Sequence, residues 1–389
     1  MNKIYLDNSA TTRISDVALK KYIEISTESF GNPSSLHTLG HEAEKILRTV
    51  RESVQKSFGV RDGEVIFTAS GTEANNLAIT GRAYAKDRYR RGAKIITTDS
   101  EHASVSEPLS RLEREGYRIA RIPTVGGKVD LECLKAELTG DVILVTVMMV
   151  NNETGALYDI AEISRIVKAM APEALVHVDA TQSYMKLPMS RRKLGCDMIT
   201  VSSHKIHGPK GVGALYIAPD VIKTRGISPI ILGGGQEGGL RSGTENVPGI
   251  AAFGAAIDEG AKDLASNAEK MNALREYIIE EIRTNESTKE ISLTLPDSHA
   301  PHILNVTLPR IKSETMLHYL SSVGIFVSSG SACSSNSAHK SSALISFGRS
   351  EADADSSIRI SLSHDSTKED ADALIRALGD GIKRLARIR

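Results

Sequence analysis

Cysteine is scarce in this 389-residue chain. Cys133, Cys196 and Cys333 are an odd number with no pair at metal-ligand spacing, so neither a disulfide framework nor a cysteine-based zinc site organises the fold. Net charge is also lacking: 48 Lys and Arg balance 48 Asp and Glu, and no overall field draws the chain to nucleic acid or to an anionic membrane. No apolar run approaches the ~18 residues of a membrane span. The amino terminus, Met1-Asn2-Lys3-Ile4-Tyr5-Leu6-Asp7, has no apolar signal core. A cytoplasmic protein without a membrane segment is expected. Repeats of the solenoid type are absent too.

What is present is a soluble, globular composition, 40% hydrophobic and 25% charged, in a chain long enough for one large and one smaller domain. Strand-like runs alternate with helical stretches: Glu64 to Thr68, Lys94 to Thr98, Val142 to Val147, Ala174 to Val178 and Met198 to Val201. That alternation predicts an α/β fold with a mostly parallel sheet covered by helices on both faces. From about residue 256 the pattern changes to a long charged helix, Asp258 to Arg283. Short strands at Ile303 to Thr307 and Ser357 to Ser361 and an amphipathic helix from Lys368 to Arg387 follow. This tail reads as a smaller α+β domain.

Two blocks carry the chemistry. His177-Val178-Asp179-Ala180-Thr181-Gln182 follows one apolar run, and Ser202-Ser203-His204-Lys205, whose first serine comes 23 residues after Asp179, follows another. Asp179, Gln182, Ser202, His204 and Lys205 should therefore lie at strand C-termini, the ligand-binding edge of an open α/β sheet. A lysine beside an aspartate, among hydroxyl and imidazole donors, suits pyridoxal 5′-phosphate. The amine condenses with the aldehyde, and the carboxylate keeps the pyridine nitrogen protonated so that the ring can absorb a carbanion's electrons. An ordinary strand-end lysine is the alternative when the block is taken alone.

Further segments point the same way. Phe67-Thr68-Ala69-Ser70-Gly71-Thr72-Glu73 reads as strand, small-residue turn and helix start, which can cradle a phosphate or be a plain helix cap. His102 follows the Lys94 run, where an imidazole could stack on a ring and move protons, or simply begin a helix. Val150-Asn151-Asn152-Glu153-Thr154-Gly155 is a turn on the same edge, able to offer amide contacts. The glycine-rich stretch Gly233 to Thr244 must be a loop, either approaching something closely or acting as a hinge. Ser328 to Ser337, small and polar around Cys333, reads as a mobile loop.

Taken in order, these segments resemble the fold-type I pyridoxal-phosphate enzymes of the class V aminotransferase kind, and among them the cysteine desulfurases of the NifS/IscS type. The likeness runs from Tyr5-Leu6-Asp7-Asn8-Ser9-Ala10-Thr11-Thr12 through Phe30-Gly31-Asn32-Pro33-Ser34-Ser35 to Ser357-Ile358-Arg359-Ile360-Ser361. It implies a large domain, residues 16–255, with a mostly parallel seven-stranded sheet. A small domain, 256–389, would carry the cysteine loop, with 1–15 joined to it. It further implies that Lys205 is the Schiff-base lysine, Asp179 the partner of the pyridine nitrogen, and His102 the ring-stacking residue. Gln182 and Asn152 would contact the phenolic oxygen side. Gly71, Thr72, Ser202 and His204 would hold the phosphate, with Thr244 reaching in from the other subunit of a homodimer. Asn32 and Arg359 would hold the substrate carboxylate.

On the same likeness Cys333 delivers a thiolate to the sulfur of L-cysteine, releasing L-alanine and passing a persulfide to an acceptor protein in iron–sulfur cluster assembly or tRNA thiolation. A selenocysteine lyase, another transaminase, and a non-catalytic scaffold of this fold are the rival readings. The chain departs from many relatives at His207, where they carry tyrosine, and at Ser363-His364, where they carry Gly-Arg. It stops at Arg389, short of the tail by which some relatives engage a scaffold protein, so the acceptor stays open.

Overall fold

The computed structural model describes residues 3–85, 93–329 and 341–385. Cys333 and the end of the expected last helix lie outside the described residues. The strands are β1 (Ile4–Tyr5), β2 (Glu64–Thr68), β3 (Lys94–Thr98), β4 (Arg118–Ile122), β5 (Val142–Met148), β6 (Leu175–Asp179), β7 (Met198–Ser202), β8 (Gly213–Ile217), β9 (Ser292–Thr294), β10 (Ile303–Thr307), β11 (Ile325–Phe326), β12 (Ser328–Ser329) and β13 (Ser357–Ser361).

Among the described residues, seven strands form the large sheet in the order β2-β8-β7-β6-β5-β3-β4. Neighbours from β7 to β4 run parallel, and β8 runs antiparallel to both β7 and β2. Strands β3, β5, β7 and β8 bury every residue, as a sheet covered on both faces requires. The edge strand β4, Arg-Ile-Ala-Arg-Ile, keeps both arginines exposed, which discourages pairing with another chain. Because β8 reverses direction twice over, β2 points the same way as β7. The C-terminal ends of β2, β3, β5, β6 and β7 therefore share one edge, and each leads into a predicted functional segment.

Buried apolar side chains fall into two clusters. The first surrounds the large sheet and includes helices α1 (Asp16–Glu28), α2 (Thr38–Ser57), α3 (Gly71–Tyr84) and α4 (Ala103–Arg114). The second lies against the four-stranded antiparallel sheet β12-β13-β10-β9 and includes Leu6 from the N-terminal segment. We propose two domains on these clusters, parting at Asp263. The expected single helix Asp258 to Arg283 is in fact two, Val247–Lys262 and Leu264–Thr284. Ile250, Phe253 and Ile257 pack into the first cluster, whereas Met271, Ile278 and Ile282 pack into the second. One straight rod could not bury both faces.

The N-terminal segment belongs physically to the second cluster. β1 pairs in parallel with β11, Asp7 bridges to Ser361, and the Asn8 amide donates to the Ser361 carbonyl at 3.0 Å. His207 and His364, the two positions of departure, meet with ring centroids 4.6 Å apart, and the His207 main-chain N–H donates to Thr12 Oγ1 at 2.7 Å. They thus join the turn after β7 to both the N-terminal segment and the end of β13.

Candidate active site

β6 ends on Asp179, and the turn after it, whose next residues include Thr181 and Gln182, reverses the chain at the sheet edge. The carboxylate of Asp179 accepts from Asn75 Nδ2 at 2.8 Å and from the Thr181 N–H at 2.9 Å. Two donors thus fix the orientation of this buried carboxylate at the sheet edge. β7 ends on Ser202, and a tight 3-10 turn, Ser203–Lys205, brings the lysine to the cavity that Asp179 also lines. Lys205 Nζ donates to the main-chain carbonyls of Ser9 and Ala10, at 2.5 and 2.8 Å. A cavity of about 410 Å³ opens between these groups, and its walls include Gly71, Thr72, His102, Asn152, Asp179, Gln182, Ser202, His204, Lys205 and Arg359.

One end of the cavity is built for an anion. Ser70 caps α3, its hydroxyl accepting from the Glu73 N–H at 3.2 Å, so the first N–H groups of a 14-residue helix are presented beside Ser202. A Cβ on Gly71 would come within 3.2 Å of Thr181 Oγ1 and 3.3 Å of the Ser202 side chain, so a larger residue would crowd the turn. At Gly213 a Cβ would sit 2.5 Å from the Ser70 carbonyl carbon; only glycine lets β8 approach this turn so closely. Ser202 Oγ is buried with no protein partner. His204 turns its Nδ1 to Thr11 Oγ1 at 3.1 Å, and burial together with Lys205 lowers its pKa to about 4.

His102 caps α4: its Nδ1 accepts from the Ser104 N–H at 3.1 Å, which leaves Nε2 to carry the ring hydrogen. Burial holds its pKa below the ordinary value, so the ring is neutral near pH 7. Behind it the buried Glu101 ties the ends of β3 and β5 together, accepting from Thr98 Oγ1 at 2.6 Å and from the Met148 N–H at 2.9 Å. Burial raises its pKa to about 8. A carboxyl whose folded pKa lies above its unfolded one binds an extra proton when folded, so its stabilising contribution is complete below about pH 4.5 and is lost as pH rises toward 8. Glu101→Gln keeps the oxygen that receives both donors. In the variant, the thermal midpoint should fall less between pH 5 and 8 than in the wild type, by on the order of a few kcal/mol in stability. Parallel midpoints across that range would show that Glu101 is ionised throughout.

Arg359, in β13 and 5% exposed, enters the cavity from the small domain. Its Nη2 pairs with Asp7 at 3.0 Å and its Nη1 donates to the Asn152 carbonyl at 3.0 Å, while its Nε is buried without a partner. Next to Asn152, the Glu153 carboxyl accepts from Ser341 Oγ at 2.5 Å, and burial lifts its pKa to about 7. The structure does not bring Asn32 or Thr244 to this cavity. Asn32 is exposed and spends its side-chain oxygen on the Ser34 N–H at 2.9 Å, and Thr244 lines a separate small pocket with Thr68 and Arg241. Sequence reasoning missed Asn75, Asp7, the Ser9 and Ala10 carbonyls, and Lys186, whose amine donates to the Lys205 carbonyl at 2.9 Å. Asn75 sits one turn beyond Gly71 on α3 and was legible on that spacing; main-chain acceptors carry no sequence signal.

Ser202 Oγ, Gln182 Oε1 and Arg359 Nε are all buried, unpartnered and part of this one cavity. Together with the helix N-terminus, the donor-held Asp179 and Lys205, they fit a phosphorylated pyridine aldehyde and define the class as that of fold-type I pyridoxal-phosphate enzymes. Residues 4–374 match the family described as Aminotransferase class-V, and the chain belongs to it. It is 37% identical over 382 residues to "Cysteine desulfurase IscS 1" of Archaeoglobus fulgidus, covering 98% of this chain and 97% of that protein. It is 40% identical over 393 residues to the "NifS/IcsS protein homolog" of Lactobacillus delbrueckii subsp. bulgaricus, covering 99% and 98%. A solved "NIFS-LIKE PROTEIN" superposes with a TM-score of 0.90 at 36% identity, over 98% of this chain and all of that one. "SspA in complex with cysteine" gives 0.80 at 30%, over 94% of this chain. Pyridoxal 5′-phosphate is the cofactor of this family.

Proposed function

We propose that the protein is a cysteine desulfurase that converts L-cysteine to L-alanine and leaves the sulfur as a persulfide on Cys333. The observation that carries this reading is the pairing of Ser328 in β12 with Arg359 in β13, with Ser328 itself in the cavity wall. The segment leading to Cys333 thus departs from the arginine suited to the substrate carboxylate. The four residues from Ser329 to Cys333 can span up to about 14 Å, the scale of such a cavity. Bound pyridoxal phosphate supplies the aldehyde and an electron sink. Lys205 removes and returns the Cα proton, Asp179 keeps the pyridine nitrogen protonated, and Arg359 orients the carboxylate. The neutral His102 is the group for the accompanying proton transfers. In the net reaction the Cβ–S bond breaks and an S–S bond forms on Cys333. The electron pair stays with the carbon skeleton, which gains a proton to become a methyl group, and the sulfur is oxidised. Incubation of the purified holoenzyme with L-cysteine should yield alanine in step with bound persulfide; alanine without sulfur on the protein, or no alanine, refutes the reading.

The persulfide is passed to an acceptor protein serving iron–sulfur cluster assembly or tRNA thiolation, in a cytoplasmic homodimer. No helix among the described residues is long and apolar enough to cross a membrane. Exposed apolar side chains support the dimer: Ile23 on α1, Leu36 before α2, and Leu232 beside the glycine-rich loop are 55%, 91% and 79% exposed. That loop is fixed rather than slack, since Glu237 pairs with Arg51 and Arg241 with Glu73, and it holds Thr244 away from its own cavity, where it is available to the neighbouring subunit. Mixing Lys205→Ala with Thr244→Ala protomers should restore activity to about a quarter of the wild-type value if exchange is complete and one site in each mixed dimer is intact. A fully active monomer in sedimentation would eliminate this arrangement.

A further inference from the structure

Lys186 closes the turn that follows β6 and is only 5% exposed. Its amine donates to the main-chain carbonyl of Lys205 at 2.9 Å. The ionisable groups that act on it or feel it all bear nitrogen: Lys205 and His204 from the turn after β7, His207 just beyond, and His302 at the entry to β10. No carboxylate pairs with it among the described residues. Burial first, and Lys205 second, bring its pKa down to about 7. An amine without a counter-ion is a costly group to bury, and an apolar side chain of the same length would fill the space more easily. The reaction as described makes no use of it.

We propose that Lys186 is a positioning residue for the reaction. From the turn that begins at Asp179 and carries Gln182, it fixes the main chain of Lys205, and with it the point from which the reacting Nζ reaches the cavity. Displacement of a reacting atom by about 1 Å can cost two orders of magnitude in rate, so such a brace matters more to turnover than to folding. Lys186 and Lys205 repel one another as cations, so a positive charge on either disfavours one on the other. The proposal rests on Lys205 being the cofactor-bearing lysine.

The test uses holoenzyme carrying Lys186→Met or Lys186→Gln. In the methionine variant kcat for alanine formation should fall about tenfold or more with KM changed less than about twofold, the signature of lost positioning. The pH midpoint of the cofactor's visible absorbance should move upward. The thermal midpoint should stay near wild type, because removing a buried amine offsets the loss of a partner for the Lys205 carbonyl. Glutamine, which retains a neutral N–H donor, should recover most of kcat while still raising the absorbance midpoint. A folded glutamine variant with kcat lowered about tenfold or more overturns the proposal even if the methionine variant fails to fold, because glutamine retains an N–H donor for the Lys205 carbonyl. Wild-type kcat in the methionine variant, or a fall in kcat that only tracks a lowered thermal midpoint, does the same. Borohydride trapping in the same preparations separates the two layers of inference: cofactor fixed to a lysine other than Lys205 removes the parent assignment itself.

Discussion

Lys205→Ala is expected to lower alanine formation from L-cysteine by at least about 10³-fold, while the folded protein still binds pyridoxal 5′-phosphate. On the proposed mechanism the substitution removes the amine that would link the cofactor and move the Cα proton. It leaves the cradle of Gly71, Thr72, Ser202 and His204 in place, and Asp179 keeps its bonds to Asn75 and Thr181. The variant should therefore show free, rather than lysine-linked, cofactor absorbance, and borohydride should fix none of it to the protein. In the wild type the reduced cofactor should appear on the peptide containing Lys205. Its recovery on any other lysine would overturn the assignment.

The second large effect is confined to sulfur. Cys333→Ser should fold, take up the cofactor and react with L-cysteine at the cofactor, yet release no alanine and carry no persulfide, because a hydroxyl at neutral pH does not attack sulfur as a thiolate does. The other cysteines are poor substitutes. Cys196 is buried beneath the sheet with its pKa pushed up to about 12, and Cys133 sits in the helix Leu131–Glu137, where burial again raises its pKa. Serine at either of these should cost at most some stability through a poorly partnered hydroxyl. Mass spectrometry after incubation with L-cysteine should find one added sulfur on the Cys333 peptide and on no other. Wild-type alanine production by Cys333→Ser would sink the mechanism.

The functional edge of the sheet was legible because β3, β5, β6 and β7 are short runs rich in β-branched and apolar residues, each ending in or followed within a few residues by polar groups: Asp99 to His102, Asn151-Asn152, Asp179 with Thr181-Gln182, and Ser202 to Lys205. Strands β4 and β8 were not. β4 sets Arg118 and Arg121 among apolar residues on an exposed edge and so lacks a buried run, and β8 begins at Gly213, where glycine argues locally against a strand although the approach to Ser70 demands it. The split of the long helix at Asp263 was hidden because both halves carry helical periodicity and only the existence of two cores separates them. Within the site, side chains that end strands were readable by position. Asp7 beneath Arg359, the carbonyls under Lys205 and the brace from Lys186 depend on contacts between residues far apart in the chain, which local pattern does not encode.

The route of the N-terminal segment sets the timetable by which the protein becomes competent. Ile4–Tyr5 waits for Ile325–Phe326, Asp7 waits for Arg359, and Ser9 and Ala10 hold Lys205 from a segment anchored at Ser361. Residues 4 to 8 are thus kept from these partners until β11 and β13 have been made, roughly 20–70 s later at 5–20 residues per second. The large sheet can form in that time, but the segment that receives the Lys205 amine still lacks its anchor at Ser361. A product broken off before the strand bearing Arg359 would have most of the residues proposed to cradle the cofactor and neither the arginine nor the anchored segment, so synthesis through β13 is itself a condition for the proposed chemistry.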